Sequence, residues 1–146
     1  ADKMRRDLAI DELGDLLERP LVAILATYRA NGEALLSPVW HEWRDGGFTV
    51  VVGVDDAKAR QLRRDPRAGL VVFDHEPPYR GVELRGRARF VEEGVVEAQR
   101  RIARRYLGQE RGTDYADSVD FDEVIVRLEP GIVRAWDFSD EYGLSG

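Results

Sequence analysis

The fold class this sequence predicts is mainly β with α: a closed or nearly closed antiparallel β-barrel of about six or seven strands with flanking helices. Three observations carry that prediction. Short apolar runs are separated by tight turn signals, Ala30-Asn31-Gly32 and Arg44-Asp45-Gly46-Gly47. One segment alternates without a break, with Val82, Leu84, Gly86, Ala88 and Phe90 against Glu83, Arg85, Arg87 and Arg89. Helical periodicity intervenes at only two crossings, which disfavours a parallel doubly wound sheet.

Taken in order, Met4, Leu8, Leu13, Leu16 and Leu17 recur at helical spacing, so residues 4 to 18 are expected to form an amphipathic helix ended near Arg19-Pro20. Leu21 to Tyr28, Glu33 to Trp43 and Phe48 to Val54 read as three strands of a meander. A short cationic helix follows and stops at Pro66, and Arg67 to Asp74 is a fourth strand closed by His75-Glu76-Pro77-Pro78. Beyond the alternating strand, Val95, Val96, Gln99, Ile102, Ala103, Tyr106 and Leu107 define one side of a helix over about Glu93 to Leu107, with Gly108 as its stop. Gln109 to Asp120 is a polar connection. Val124 to Leu128 is a strand that Glu129-Pro130-Gly131 is expected to turn into Ile132 to Phe138, and residues 139–146 read as a tail.

The length of 146 residues suits one domain with a real core, and no composition shift marks a boundary within 1–146. A formal charge of −6 gives no overall attraction for a nucleic-acid backbone. With no cysteine there is no disulfide framework, thiolate metal site or cysteine nucleophile. No apolar run resembles a signal peptide or approaches the ~20 residues that span a bilayer. A cytoplasmic protein without membrane or nucleic-acid partners is the expectation.

The segment richest in chemical meaning runs from Phe48 through Gly53 to Pro66. An apolar strand passes through a glycine into a short helix whose first turns carry Lys58 and Arg60, where free backbone N–H groups and two cations can converge on a phosphate. Read alone, the same residues also suit a connector helix with a solvated basic face.

Order and spacing of further pieces extend this reading. Arg19-Pro20-Leu-Val-Ala-Ile-Leu-Ala-Thr27, Ser37-Pro38-Val39-Trp40, Asp45-Gly46, Ala57-Lys58-Ala-Arg60-Gln-Leu62, Asp65-Pro66-Arg67 and Val82-Glu-Leu-Arg-Gly86-Arg-Ala88 together resemble the pyridoxamine 5′-phosphate oxidase-like split-barrel superfamily, in its flavin and deazaflavin oxidoreductase branch. The resemblance covers residues 13 to 137. It implies a split barrel that forms a homodimer, with FMN or coenzyme F-420 in a groove between subunits. Carried over, Lys58 with Arg60 or Gln61, beside Ala57, would meet the phosphate. Ser37, Pro38 and Val39, with Val51, Val52 and Gly53, would lie along the ring system. Tyr79, Arg80 and Gly81 would reach the cofactor from the partner subunit, and Trp136 would stand near the mouth of the groove.

Two departures matter. Val54-Asp55-Asp56 stands where many relatives carry more basic residues, and either weakens phosphate binding or caps the helix. The ending Tyr142-Gly-Leu-Ser-Gly146 lacks the Arg- and Leu-containing terminus expected of true pyridoxamine phosphate oxidases. The expected function is therefore hydride transfer to or from a small organic substrate by an FMN- or F-420-dependent oxidoreductase. The alternative is a non-catalytic module that holds flavin, haem or pyridoxal phosphate as sensor, store or carrier.

Other signals weigh less. His41 and His75 have no ligand spacing for a metal, though His41 adjoins Trp40 and could touch a substrate. Arg100, Arg101, Arg104, Arg105 and Arg111 form a basic patch, which complements a helix dipole as readily as it would nucleic acid. Ser37 and Ser118 belong to no nucleophile motif, so no catalytic side chain is named. Trp40, Trp43 and Trp136 read as core or interface aromatics.

Overall fold

A computed structural model of the chain describes residues 5–6 and 8–141. Its strands are β1 (Arg5–Arg6), β2 (Ala23–Tyr28), β3 (Ala34–Val39), β4 (Glu42–Arg44), β5 (Gly47–Gly53), β6 (Arg67–Phe73), β7 (Gly81–Val91), β8 (Glu123–Leu128) and β9 (Ile132–Asp137). Its helices are α1 (Ala57–Arg64), α2 (Val95–Leu107) and α3 (Gln109–Ser118). The strands form a curled antiparallel sheet in the order β3-β2-β6-β7-β8-β5-β4, with β9 beside β7 and β1 beside β9. This is the split half-barrel with flanking helices that the sequence predicts.

The curl originates in β7. One edge pairs with β6 from Gly81 to Arg87, while the other pairs with β9 from Gly81 to Arg85 and then with β8 from Ala88 to Val91. β8 and β9 are thus one bent strand lying against β7, and Glu129-Pro130-Gly131 is not the hairpin turn expected from sequence. Those three residues oppose only Gly86 and Arg87, which makes them a bulge that bends the sheet. The backbones meet so closely that a Cβ on Gly131 would lie 2.5 Å from the Arg85 carbonyl oxygen.

Two hairpins form where turn chemistry predicts them. Gly32 between β2 and β3 has φ +88°, and Asp45 and Gly46 between β4 and β5 have φ 51° and 72°. The expected strand from Glu33 to Trp43, however, breaks at Trp40-His41. Its first half pairs only with β2 and its second only with β5, so β3 and β4 end up at opposite ends of the sheet order. The side chains of α2 explain the break: the Tyr106 hydroxyl accepts the His41 N–H at 3.1 Å, and Arg105 donates to the His41 carbonyl at 3.2 Å. The backbone of residue 41 is satisfied by a helix rather than a ladder.

Two further expectations are corrected. The N-terminal helix is a single 3-10 turn, Ile10–Leu13, followed by turns; Met4 and Asp7 lie outside the described residues. Gly14 (φ 61°) ends the turn where Arg80 Nη1 takes the Leu13 carbonyl at 2.9 Å, yet Leu13, Leu16 and Leu17 still enter the core. The polar connection after Gly108 is helix α3. It has little apolar surface, and what fixes it is Gly112, where a Cβ would sit 2.5 Å from the Arg104 backbone, together with Arg104 Nε donating to Thr113 Oγ1 at 2.8 Å and Arg100 to Asp117 at 3.0 Å.

Leu25, Phe48, Leu70, Leu84, Val126 and Leu128 fill the barrel, and no helix among the described residues is long and apolar enough to cross a membrane. The residues expected to form a tail begin with Ser139, which is buried against Asp137; residues 142–146 lie outside the described residues.

Arg127 secures the β4–β5 end. Its guanidinium donates to the Arg44 carbonyl at 2.7 Å, Thr49 Oγ1 at 2.9 Å and the Asp45 carbonyl at 3.1 Å. Arg127→Met leaves these acceptors unpaired and is expected to lower unfolding free energy by roughly 3 kcal/mol in urea titrations, with Arg127→Lys recovering less than half.

Candidate functional site

The split of the barrel lies between two strand edges. Among the described residues β3 has β2 on one side and no strand on the other, and β5 loses its β4 partner beyond Thr49. The peptide edge of Val50 to Val52 therefore has no strand partner on the side of a groove lined by Pro38, Val39, Trp40, Val51, Val52, Gly53, Asp56, Lys58, Gln99, Ile102, Tyr115, Phe121 and Glu123, while at Gly53 both peptide groups are taken by Asp56. At about 270 Å³ the groove is slightly smaller than the ~300–1,000 Å³ typical of small-molecule sites.

Of the residues singled out from sequence, Pro38, Val39, Val51, Val52, Gly53 and Lys58 come together here. Lys58 is the one lysine or arginine among the lining residues, and its Nζ lies 3.2 Å from Asp56 Oδ2. Asp56 occupies the N-cap position of α1 without capping it. Its carboxylate instead turns back and accepts the Gly53 N–H at 3.0 Å. The first-turn N–H groups of α1 consequently have no side-chain cap, and the first bond into the helix is Arg60 N–H to the Asp56 carbonyl.

The remaining residues lie elsewhere. Ala57 is exposed at the start of α1, and Arg60 turns back to the Asp55 carbonyl. Gln61 is committed to β2, where its Oε1 accepts from the buried Thr27 hydroxyl at 2.6 Å. Ser37 is half-buried on β3, on the same side as Val39 but outside the groove. Arg80 spends its guanidinium within its own chain, on Asp74 at 2.9 Å, the Leu13 carbonyl at 2.9 Å and Asp15 at 3.0 Å. Asp74 is buried and is met from its other side by Arg19. Tyr79 has φ 59°, and Gly81 gives Trp136 its space, since a Cβ there would lie 2.3 Å from the indole. Arg134 covers Trp136 at 4.9 Å.

Sequence reasoning missed the lining that α2, α3 and the start of β8 supply. Gln99, on the buried side of α2, donates from Nε2 to Glu123 Oε2 at 2.7 Å. Glu123 opens β8, paired with Gly53. Desolvation raises its pKa above the ordinary carboxylate value; the Gln99 bond opposes that rise, and the Asp56 charge adds to it. Trp40 stacks on Tyr106 at 5.0 Å with its rings nearly parallel, and Tyr115 leans on it at 5.4 Å. A visible signal was Gln99 within an apolar stripe. Another was Tyr115 and Phe121, the two aromatics of the polar stretch between α2 and β8.

The arginines of α2 all have partners within the chain: Arg100 on Asp117, Arg101 on Glu42 at 3.0 Å, Arg104 on Thr113, and Arg105 on the His41, Glu18 and Arg19 carbonyls. No group of three or more potential metal ligands occurs among the described residues.

A family profile described as pyridoxamine 5′-phosphate oxidase matches residues 9–137, spanning every element of the barrel from the 3-10 turn to β9. The chain belongs to that family. Among solved structures of similar fold is the conserved protein Rv2991 from Mycobacterium tuberculosis, 28% identical, with a TM-score of 0.76 over 95% of this chain and 90% of that one. An F-420 reductase is 26% identical, with a TM-score of 0.67 over 82% of this chain and 93% of the other. A FAD-binding protein from Mesorhizobium loti shares the fold at 19% identity, with a TM-score of 0.67 over 92% and 96%. A comparison with curated proteins finds no match. The groove's own charged residues, Asp56, Lys58 and Glu123, differ from a simple phosphate cradle.

His41 does not line the groove. It is fully buried between Phe48 and Tyr106, and neither ring nitrogen has a hydrogen-bond partner. Burial, reinforced by the Arg105 charge and only partly opposed by the nearby Leu21 backbone, lowers its pKa from 6.5 to about 4. The unfolded chain thus takes up a proton near pH 6.5 that the folded protein refuses until about pH 4, so stability falls as pH drops through that window. The expected loss is on the order of 3 kcal/mol. His41→Leu strands no hydrogen bond of the ring and is expected to flatten that dependence when urea midpoints are compared at pH 7 and pH 4.5.

Proposed function

We propose that the protein is an FMN- or F-420-dependent oxidoreductase acting on a small organic substrate, with the cofactor held in the groove between β3 and β5. The observation that carries this reading is the unpartnered peptide edge of Val50 to Val52 in one groove with Pro38 and Val39, with Lys58 and a helix start that no side chain caps at one end. A flat ring with polar edges suits strand backbones that offer N–H and C=O groups and apolar side chains that cover its face. A phosphate suits the free N–H groups of α1 and the Lys58 ammonium. Family membership and the likeness to an F-420 reductase support the same class. When bound, such a cofactor supplies the hydride chemistry, and the protein's share is to bind, orient and exclude water.

The reading includes a homodimer. The outer side of β3, β2 and β6 exposes Leu36 and Phe73 beside half-buried Ile24, Ala26 and Val71, an apolar surface suited to a second copy. A partner there would also enlarge a groove that one chain leaves small.

Fluorescence titration with FMN and with F-420 tests the proposal. Lys58→Ala is expected to weaken the bound cofactor by 10- to 100-fold with the fold retained by circular dichroism. Asp56→Asn, which keeps an acceptor for the Gly53 N–H but frees Lys58 from a competing charge, is expected to tighten binding at least threefold. Unchanged affinity in both variants would put the phosphate elsewhere.

A further inference from the structure

From the charged and aromatic residues that line the groove, we infer that it takes a substrate bearing a positively charged nitrogen on a flat or apolar body, with Glu123 as counter-charge and Trp40, Tyr115 and Phe121 as the aromatic lining. This deepens the reading of the groove as the reaction site and rests on it.

The charges are unequal. Two carboxylates and one ammonium line the groove, and the ammonium of Lys58 is already 3.2 Å from Asp56. That pair is close to neutral, so the charge of Glu123 is left over. Glu123 holds only a neutral partner: Gln99 donates to Oε2, while among the described residues Oε1 accepts no hydrogen bond and no Lys or Arg forms an ion pair with it. A half-buried carboxylate in this position bears a desolvation cost with no compensating cation, and its raised pKa expresses the same imbalance. An incoming cation removes the imbalance, whereas a neutral or anionic ligand leaves or worsens it.

The aromatic lining points to the same chemistry. Tyr115 and Phe121 are 43% and 57% exposed and line the groove together with the Glu123 carboxylate, so both offer aromatic surface to a ligand there. Trp40 is held in place by its stack on Tyr106, so the indole is a fixed surface rather than a mobile one. Aromatic faces attract cations through their quadrupole, and they also stack on a flat organic body. A carboxylate and aromatic faces at one groove are complementary to an organic cation on both counts. Lys58 does not contradict this, because its ammonium is held by Asp56, whereas Glu123, the strand neighbour of Gly53, has only the neutral Gln99.

A matched pair of probes separates charge from shape. Binding of N-methylquinolinium and of quinoline at pH 8 is measured by calorimetry on the purified protein, with and without added FMN, and repeated on Glu123→Gln and on Tyr115→Ala. The expected result is that the cation binds at least tenfold more tightly than the neutral ring. Glu123→Gln should cut that advantage at least threefold, and Tyr115→Ala should weaken both probes. Equal affinity for the two probes, no binding of the cation, or an unchanged advantage in Glu123→Gln would each overturn the inference. Because the preference is read without cofactor as well, its failure is distinct from a failure of FMN or F-420 to bind.

Discussion

The strand β7 is the constraint on which the rest of the molecule depends. It carries β6 along one edge and both β9 and β8 along the other, and the change of partner at Gly86 and Gly131 turns a flat ladder into a curled one. The curl brings β5, attached through β8, round toward β3, attached through β2 and β6. Neither edge closes on the other. The groove is the residue of that incomplete closure, so its width follows from a bulge on the far side of the sheet rather than from the residues that line it.

Much of this was legible in the sequence because local signals agreed with the global fold. Asn31-Gly32 and Asp45-Gly46 are hairpin turns whatever surrounds them, and the alternation from Val82 to Phe90 leaves a single choice of buried face. What could not be read depends on partners distant in sequence. The strand from Glu33 to Trp43 breaks at His41 because Tyr106 and Arg105, more than sixty residues later, claim its backbone. Helix α3 owes its place to a glycine and to α2 arginines, so its own pattern is weak. At the site, Lys58 was readable from a strand-to-helix turn, but the Asp56 carboxylate abandoning its helix for Gly53 N–H was not, because both choices satisfy one acceptor. Gln99 and Glu123 meet only once the sheet has curled.

Arginine has a consistent role in this chain. Arg127 gathers the carbonyls of one hairpin, Arg105 those of the segment entering β2 and of the β3–β4 crossing, and Arg80 the end of the 3-10 turn. A guanidinium presents several donors in a fixed plane, so one side chain satisfies peptide oxygens in irregular stretches where no ladder is available. The basic patch on α2 is read most economically in the same way, as four separate attachments within one subunit.

Tyr106 and Arg105 together fasten the end of α2 to three pieces of backbone: the Leu21 carbonyl, the crossing at His41 and the turn at Glu18 and Arg19. The two walls of the groove that α2 and β3 provide therefore move as one body. A ligand cannot be accommodated by swinging the helix away from the strand without breaking several hydrogen bonds at once. For the ligand proposed for this groove, that rigidity means the backbone would lose little freedom on binding, and discrimination would come from misfit rather than from closure. Beyond α2, helix α3 and the Phe121 loop touch the rest of the chain through Tyr115 on Trp40 and the Asp122 carbonyl on the Val54 N–H, so any adaptation on this side falls to them.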